Sequence, residues 1–389
     1  MTVWDDAEFT QRLAHANWMA NTAVLMYLNE RATGDPARDW LSSWAHRWFV
    51  GDDLRVLVLG CGEGWLERAV AQWPFVAHID AVDFAEHAIA RARELARDIP
   101  KIHYGVVDLN RDVLEPNHYD VIVAHSVLHH IENLEHAYAQ LERAMKPDAT
   151  LIINEYVGPN RFQYSDAVDA IINTLLRCLP WELRKPYESR VRPTVAEMIA
   201  NDPTEAVRAS ELVEFTERVF DVRERRAIGG TVLQHLLYDI VQNFRFDNAW
   251  ERSILDMLCV TEGMLIDGGR VPCDFVLMAA RKRGSMVVPA ARPLPRRAEG
   301  ADDVERDPLC SADVPSAGSA ASPPPSRNGD ETSPVQPART PALRLLRLAW
   351  LSQQHHRANL FEETHVAEAA LPDDPVIREL FETAMRLTR

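Results

Sequence analysis

The sequence predicts an α/β protein built on a largely parallel sheet, and three observations carry that prediction. Short runs rich in Val, Ile and Leu recur from Leu54 onward with helical segments between them. The first of these runs closes on a glycine-rich turn, VLVLGCGEGW at 56–65. Two later runs, 219–228 and 273–282, each follow a long stretch of helical pattern. Continuous apolar strands alternating with helices imply a sheet covered on both faces.

The elements follow in chain order. Residues 6–48 have helical spacing through Trp18, Val24, Leu25 and Leu28 and again through Trp40, Leu41, Trp44 and Trp48, with Gly34, Asp35 and Pro36 between. LRVLVLG (54–60) is the first strand and WLERAVAQW (65–73) the first crossover helix. HIDAVD (78–83), IHYGVVD (102–108), YDVIVAHS (119–126) and ATLIINEYV (149–157) are the next strands, with helices at 86–98 and 134–145. Residues 160–218 and 231–267 are mainly helical insertions, placed where a lid over a substrate would be built. The expected division is N-terminal helices over 1–50, one domain over 51–283, a linker over 284–341 and a helical segment over 342–389. The linker holds eleven of the chain's 24 prolines. Such a composition buries too little apolar surface to offset its ordering entropy, so the linker is predicted to be disordered.

Composition narrows the function. The net charge of −16 argues against a nucleic-acid binder, which needs basic groups to neutralise phosphates. Five dispersed cysteines with no CxxC pair support neither a disulfide framework nor structural zinc, and no metal is expected. There is no signal-peptide pattern and no apolar run of membrane-spanning length, so the cytoplasm is the default location.

Gly60, Gly62 and Gly64 place a GxGxG turn between the first strand and its helix. Glycine permits the tight turn and lets a ligand approach the main chain. Free N–H groups at the following helix start favour a carboxylate. Asp83 ends the second strand, 23 residues after Gly60, where an acid commonly holds ribose hydroxyls. Asp108 ends the third strand, where a carboxylate can accept from an adenine amino group. A nicotinamide dinucleotide is the alternative ligand, but its GxGxxG turn needs a third glycine one residue later. Each acid alone is equally a helix cap. Together, at consecutive strand ends, they mark a nucleoside site.

These residues resemble the core of class I S-adenosylmethionine-dependent methyltransferases. LGCGEG, Asp83, Asp108, YDVIVAHSVLHHIENLEHA (119–137) and MKPDATLIINEY (145–156) correspond to that family's motifs. The likeness covers most of residues 50–283. It implies a Rossmann-like seven-stranded sheet of order 3-2-1-4-5-7-6 with the last strand antiparallel, and S-adenosylmethionine as cofactor. It also implies cofactor contacts from Gly60, Cys61, Gly62, Gly64, Asp83, Phe84, Asp108, Leu109 and His125. Val58 departs from the family, which usually has an acid two residues before the first glycine.

Ligands of open α/β sheets bind at the carboxyl ends of the strands. The fourth strand ends in HSVLHH and the fifth in NEY, which nominates His129, His130 and Glu155 as a proton-accepting group. A carboxylate fixes an imidazole's tautomer and stabilises the imidazolium. EYVGPNRFQYSD (155–166) and GGTVLQHLLYDIVQNF (229–244) resemble bacterial methyltransferases of glycan biosynthesis. Tyr156, Arg161, Gln163, Tyr164, Gln234, His235 and Tyr238 are the candidate contacts for a hydroxylated small-molecule or glycan acceptor. RNA or protein methylation and a non-catalytic scaffold are the alternatives. LRLLRLAWL (343–351) is expected to dock on its own core or on a protein partner.

Overall fold

The computed structural model describes residues 17–284. The expectations for residues 6–16, the linker and the C-terminal helices lie outside them. Seven strands form one sheet in the order β3-β2-β1-β4-β5-β7-β6. They are β1 (Leu54–Leu59), β2 (Val76–Asp83), β3 (Ile102–Val106), β4 (Tyr119–His125), β5 (Met145–Tyr156), β6 (Phe220–Gly229) and β7 (Phe275–Lys282). β7 runs antiparallel to both β5 and β6, and the pairs among β1 to β5 are parallel. The expected order and the antiparallel last strand are both present.

The central strands are buried on both faces, as their unbroken apolar runs require. Val121, Ile122, Val123 and Ala124 of β4 are at most 1% exposed. Burial of each large aliphatic side chain contributes about 1.5–3 kcal/mol. Ile122, Ala124, Leu151, Ile153, Met278 and Ala280 face one core, completed by α5 (Leu134–Ala144) and α9 (Leu212–Val219). Among the helices that complete the domain, α1 (Thr22–Thr33) and α11 (Ala249–Asp267) pack on β6 and on each other. α2 (Trp40–Trp48) is fastened to β5 where Thr150 donates to the Trp48 carbonyl at 3.0 Å.

Capping residues set the helix ends. Asn21 starts α1 by accepting from the Ala23 N–H, and Gly34 ends it in a left-handed conformation. Asp39 starts α2 by accepting from Leu41 and Ser42. Two helical expectations need correction. α3 spans Trp65–Val70 and stops short of residue 73, because the chain must turn at Trp73-Pro74 to enter β2. Residues 231–267 are broken, with α10 only Leu233–Leu237. Asp239 takes φ 57°, and Asn248 opens α11 afresh by accepting from Trp250 and Glu251.

Glu262 of α11 shows how the later elements are joined. Its carboxylate is fully buried. It accepts from the N–H groups of Gly230, Val232 and Leu233 at 2.7–2.8 Å and from the Tyr27 hydroxyl at 3.3 Å. One side chain thereby binds the turn after β6, the start of α10, and α1.

Candidate active site

The carboxyl ends of β1, β2, β4 and β5 meet at one edge of the sheet. At β1, Gly60, Gly62 and Gly64 all have positive φ. A Cβ on Gly64 would lie 2.6 Å from both Glu67 Oε1 and the Tyr104 hydroxyl. A Cβ on Gly62 would meet nothing within 4 Å, so the turn opens outward at that residue. Asp83 accepts from the Gly62 N–H through one oxygen and from the Ala85 N–H through the other, both at 2.9 Å. This aspartate therefore ties β2 to the glycine turn. Asp108 is engaged in its own turn, accepting from Asn110 at 3.0 Å and pairing with Arg111 at 3.2 Å. Phe84 is 38% exposed beside Asp83, whereas Cys61 and Leu109 are buried.

His125 closes this end between two indoles, Trp40 and Trp65, with ring centroids 5.4 Å from each. Burial holds its pKa below the ordinary histidine value. Trp40 and Trp65 were not nominated by the sequence. Trp40 arrives from an N-terminal helix, and only the tertiary fold brings it to the β4 terminus. The open turn at Gly62, the Asp83 carboxylate and the exposed faces of Phe84 and Trp65 fit a nucleoside with a charged tail.

The β4–β5 end holds the charged cluster. Glu155 is fully buried. One oxygen accepts from the N–H groups of Val127 and Leu128, and the other meets His129 Nδ1, all at 2.7 Å. The carboxylate thus shapes the loop after β4 and fixes the imidazole with Nδ1 protonated. Burial pushes the His129 pKa down. Glu155, Glu205 and Asp202 outweigh it, and the pKa lies above the ordinary value. Burial and the His129 charge hold His130 well below its ordinary pKa, and its Nδ1 lies 3.1 Å from Thr204 Oγ1.

Glu205 was also missed by the sequence. It lies between α8 (Val195–Asn201) and α9, where no strand end or period marks it. Its carboxylate stands 3.5 Å from His129 Nε2. Burial raises its pKa, partly offset by His129. One ligand atom from each of His129, His130 and Glu205 lies within 4.8 Å of the others, so this group can hold a metal ion. His78, Asp80 and His103 form a second such group.

The candidate acceptor contacts divide into two kinds. Arg161 donates to the Glu205 carbonyl at 2.9 Å, Gln163 to the carbonyls of Arg161 and Pro193 at 2.8 Å, and Tyr156 to the Pro159 carbonyl at 2.9 Å. These three brace the insertion. Tyr238 ends α10 and is 44% exposed. An aromatic path runs instead from His129 through Tyr156 and Phe162 to His235, which packs on Tyr164 at 4.2 Å. Gln234 Oε1, His235 Nε2 and Asp274 Oδ2 have no hydrogen-bond partner among the described residues. Burial, with the Arg190 charge adding to it, pushes His235 down to about 3, and burial pushes Asp274 up to about 7.

Comparison with known proteins adds a family. Residues 57–153 match the model described as a methyltransferase domain. The chain is similar to the malonyl-[acyl-carrier protein] O-methyltransferase of Bacillus anthracis, 29% identical over 33% of this chain and 46% of the relative. It is 32% identical to the enzyme of the same description from Halalkalibacterium halodurans, over 28% of this chain and 40% of the relative. The chain therefore spans less than half the length of these curated relatives. Among solved structures, an S-adenosylmethionine dependent methyltransferase from Mesorhizobium loti aligns at TM-score 0.38 and 17% identity, over 62% of this chain and 97% of that one.

Proposed function

This chain belongs to the class I S-adenosylmethionine-dependent methyltransferases, and from that premise we propose that it transfers a methyl group to a hydroxyl of a sugar or glycan precursor. The Glu155–His129 pair, closed at 2.7 Å with Glu155 fully buried, carries this reading. Malonyl carriers, the substrates named for the bacterial relatives, present a carboxyl group. A carboxylate is already deprotonated at neutral pH and needs no base. A hydroxyl does need one, and a buried carboxylate holding an imidazole supplies it.

S-Adenosylmethionine, when bound, supplies a methyl carbon activated by its sulfonium. Gly62, Asp83 and the faces of Phe84 and Trp65 would hold it, with His125 beside them. His129 Nε2 would accept the proton that the acceptor hydroxyl releases on methylation. Glu155 keeps Nδ1 protonated, so Nε2 carries the lone pair. Alignment of the two reactants supplies most of the rate. Gln234 Oε1, His235 Nε2 and Asp274 Oδ2, buried without a hydrogen-bond partner among the described residues, support a polar ligand.

The test has two stages. Calorimetric titration with S-adenosylmethionine is expected to show saturable binding that Asp83→Ala abolishes. Methyl transfer is then measured with hydroxyl acceptors (nucleotide sugars, lipid-linked sugars) against free carboxylic acids. Turnover confined to carboxyl acceptors would overturn the hydroxyl assignment, and a folded protein that binds no cofactor would overturn the enzyme.

A further inference from the structure

α2 carries tryptophans at its first, fifth and ninth residues, a spacing that sets them along one stripe of the helix. Trp44 and Trp48 are buried in the core, at 4% and 2% exposure. Trp40, the first, is only half-buried and runs past the core onto the carboxyl end of β4. Its place is fixed by α1, because the Trp40 N–H donates to Asn29 Oδ1 at 3.1 Å. Trp65 reaches the same point from the glycine turn and is 42% exposed. The two indoles flank His125 with ring centroids 5.4 Å away, Trp65 at 83° to the imidazole and Trp40 at 41°. The three rings therefore meet at angles rather than in a flat stack. His125 Nδ1 is buried with no hydrogen-bond partner among the described residues. A buried polar atom left unpaired is costly until a ligand group or a water meets it.

We propose that Trp40 and Trp65, with His125 between them, receive the ammonium group of the cofactor's amino-acid tail. This rests on the cofactor part of the reading above, not on the identity of the acceptor. In the sheet order β3-β2-β1-β4, the nucleoside contacts Asp83 and Phe84 stand at the end of β2, which leaves the tail over β1 and β4. β1 offers no counter-charge there, since Val58 and Leu59 are apolar and at most 1% exposed. Carboxylates of the surrounding elements are committed. Asp39, beside Trp40, caps α2 with both oxygens. Glu67 of α3 is fully buried, and Glu155 of β5 is taken up by Val127, Leu128 and His129. The face of an indole attracts a cation within about 6 Å of the ring centroid, more strongly where water is excluded, and Trp does this better than Tyr or Phe. His125 Nδ1, on a ring that burial keeps neutral, can accept one ammonium hydrogen. Ring faces and a nitrogen lone pair thereby meet the ammonium in place of an acid.

The test is calorimetric titration of the full chain with S-adenosylhomocysteine, which keeps the ammonium tail, beside 5′-methylthioadenosine, which has the same nucleoside and sulfur without it. Trp65→Leu and Trp40→Leu are each expected to weaken S-adenosylhomocysteine about tenfold and 5′-methylthioadenosine by less than about twofold. Trp65→Phe keeps a smaller aromatic face and is expected to lose less than Trp65→Leu. Unchanged affinity in both leucine variants would overturn the proposal. So would equal losses for the two ligands, since the indoles would then shape the nucleoside site or the fold. Equal losses in Trp65→Phe and Trp65→Leu would also overturn it, because no cation would then be sensing the ring face. Glu63, exposed in the same turn, is the rival carboxylate. Tail-dependent affinity lost in Glu63→Gln and kept in the leucine variants would assign the ammonium to Glu63 instead. If the folded, unaltered chain binds neither ligand, the cofactor reading falls and this proposal with it. A chain that holds S-adenosylhomocysteine through the indoles yet methylates no hydroxyl acceptor loses only the hydroxyl reading, and the proposal stands.

Discussion

Glu155 and Glu262 sit in different halves of the molecule and do nearly the same thing. Each is a fully buried carboxylate, and each gathers the N–H groups of a loop that follows a strand. The last partner separates them. Glu155 ends on an imidazole, and Glu262 ends on a phenol. Burial raises the Glu262 pKa despite its three backbone donors, and burial sends the Tyr27 pKa far above the phenol range, so no proton moves there. The imidazole on Glu155 instead has its pKa raised above the ordinary histidine value by the surrounding carboxylates. One structural device thus ends on a phenol that stays protonated in one place and on a titratable ring in the other.

The comparison breaks most visibly with Glu262→Ala. Three backbone donors and a phenol lose their acceptor inside the protein, so unfolding in urea should show a loss of about 4 kcal/mol. Equal stability for this variant would mean that water satisfies the turn and that Glu262 braces nothing. His129→Gln sharpens the other half. The amide keeps a donor for Glu155 but cannot take a proton, so kcat should fall about 10²–10³-fold while stability changes by about 1 kcal/mol or less.

The pH profile comes next in size. As the proposed base, His129 acts only when neutral, and the neighbouring carboxylates raise its pKa. The kcat/KM profile should therefore rise with pH, with a midpoint above about 6.5. Glu155→Gln should move that midpoint down. Stability runs the other way. The contribution from protonated His129 is complete below its unfolded-state pKa and is lost as pH rises through the folded one. The smallest effect is expected from Asn248→Ala, which removes the cap of the helix carrying Glu262. About 1 kcal/mol should be lost, seen as a lower melting temperature at unchanged kcat.

Much of this was legible in the chain. Strand–helix alternation made the strands legible, most clearly β1 and β4 with their short apolar runs, and the resemblance to the family implied the sheet order. The meeting of His129 with Glu155 was legible because both stand at the carboxyl ends of the paired strands β4 and β5. Glu205, Trp40 and Trp65 were not. Glu205 and Trp40 reach the site from segments remote in sequence, and their local pattern is that of any surface loop or helix start. Trp65 reads equally well as the first residue of an ordinary crossover helix. Arg161 and Gln163 were legible as polar but not as struts, since donation to a backbone carbonyl leaves no mark on composition. The breaks within 231–267 were hidden because neither Gly nor Pro stands at Asp239 or Asn248.

Gly60 and Val127 have a consequence for how such a protein can change. A Cβ on Gly60 would lie 2.5 Å from the Val127 side chain, and the N–H of Val127 is held by Glu155. The glycine turn after β1 is thus spaced from the loop after β4 by the Gly60 main chain resting against the Val127 side chain. The insertions after β5 and β6 enter the chain after this spacing is set. Descendants of this scaffold can therefore exchange the insertions for new ones and inherit the spacing intact, whereas any methyl group added at residue 60 resets it.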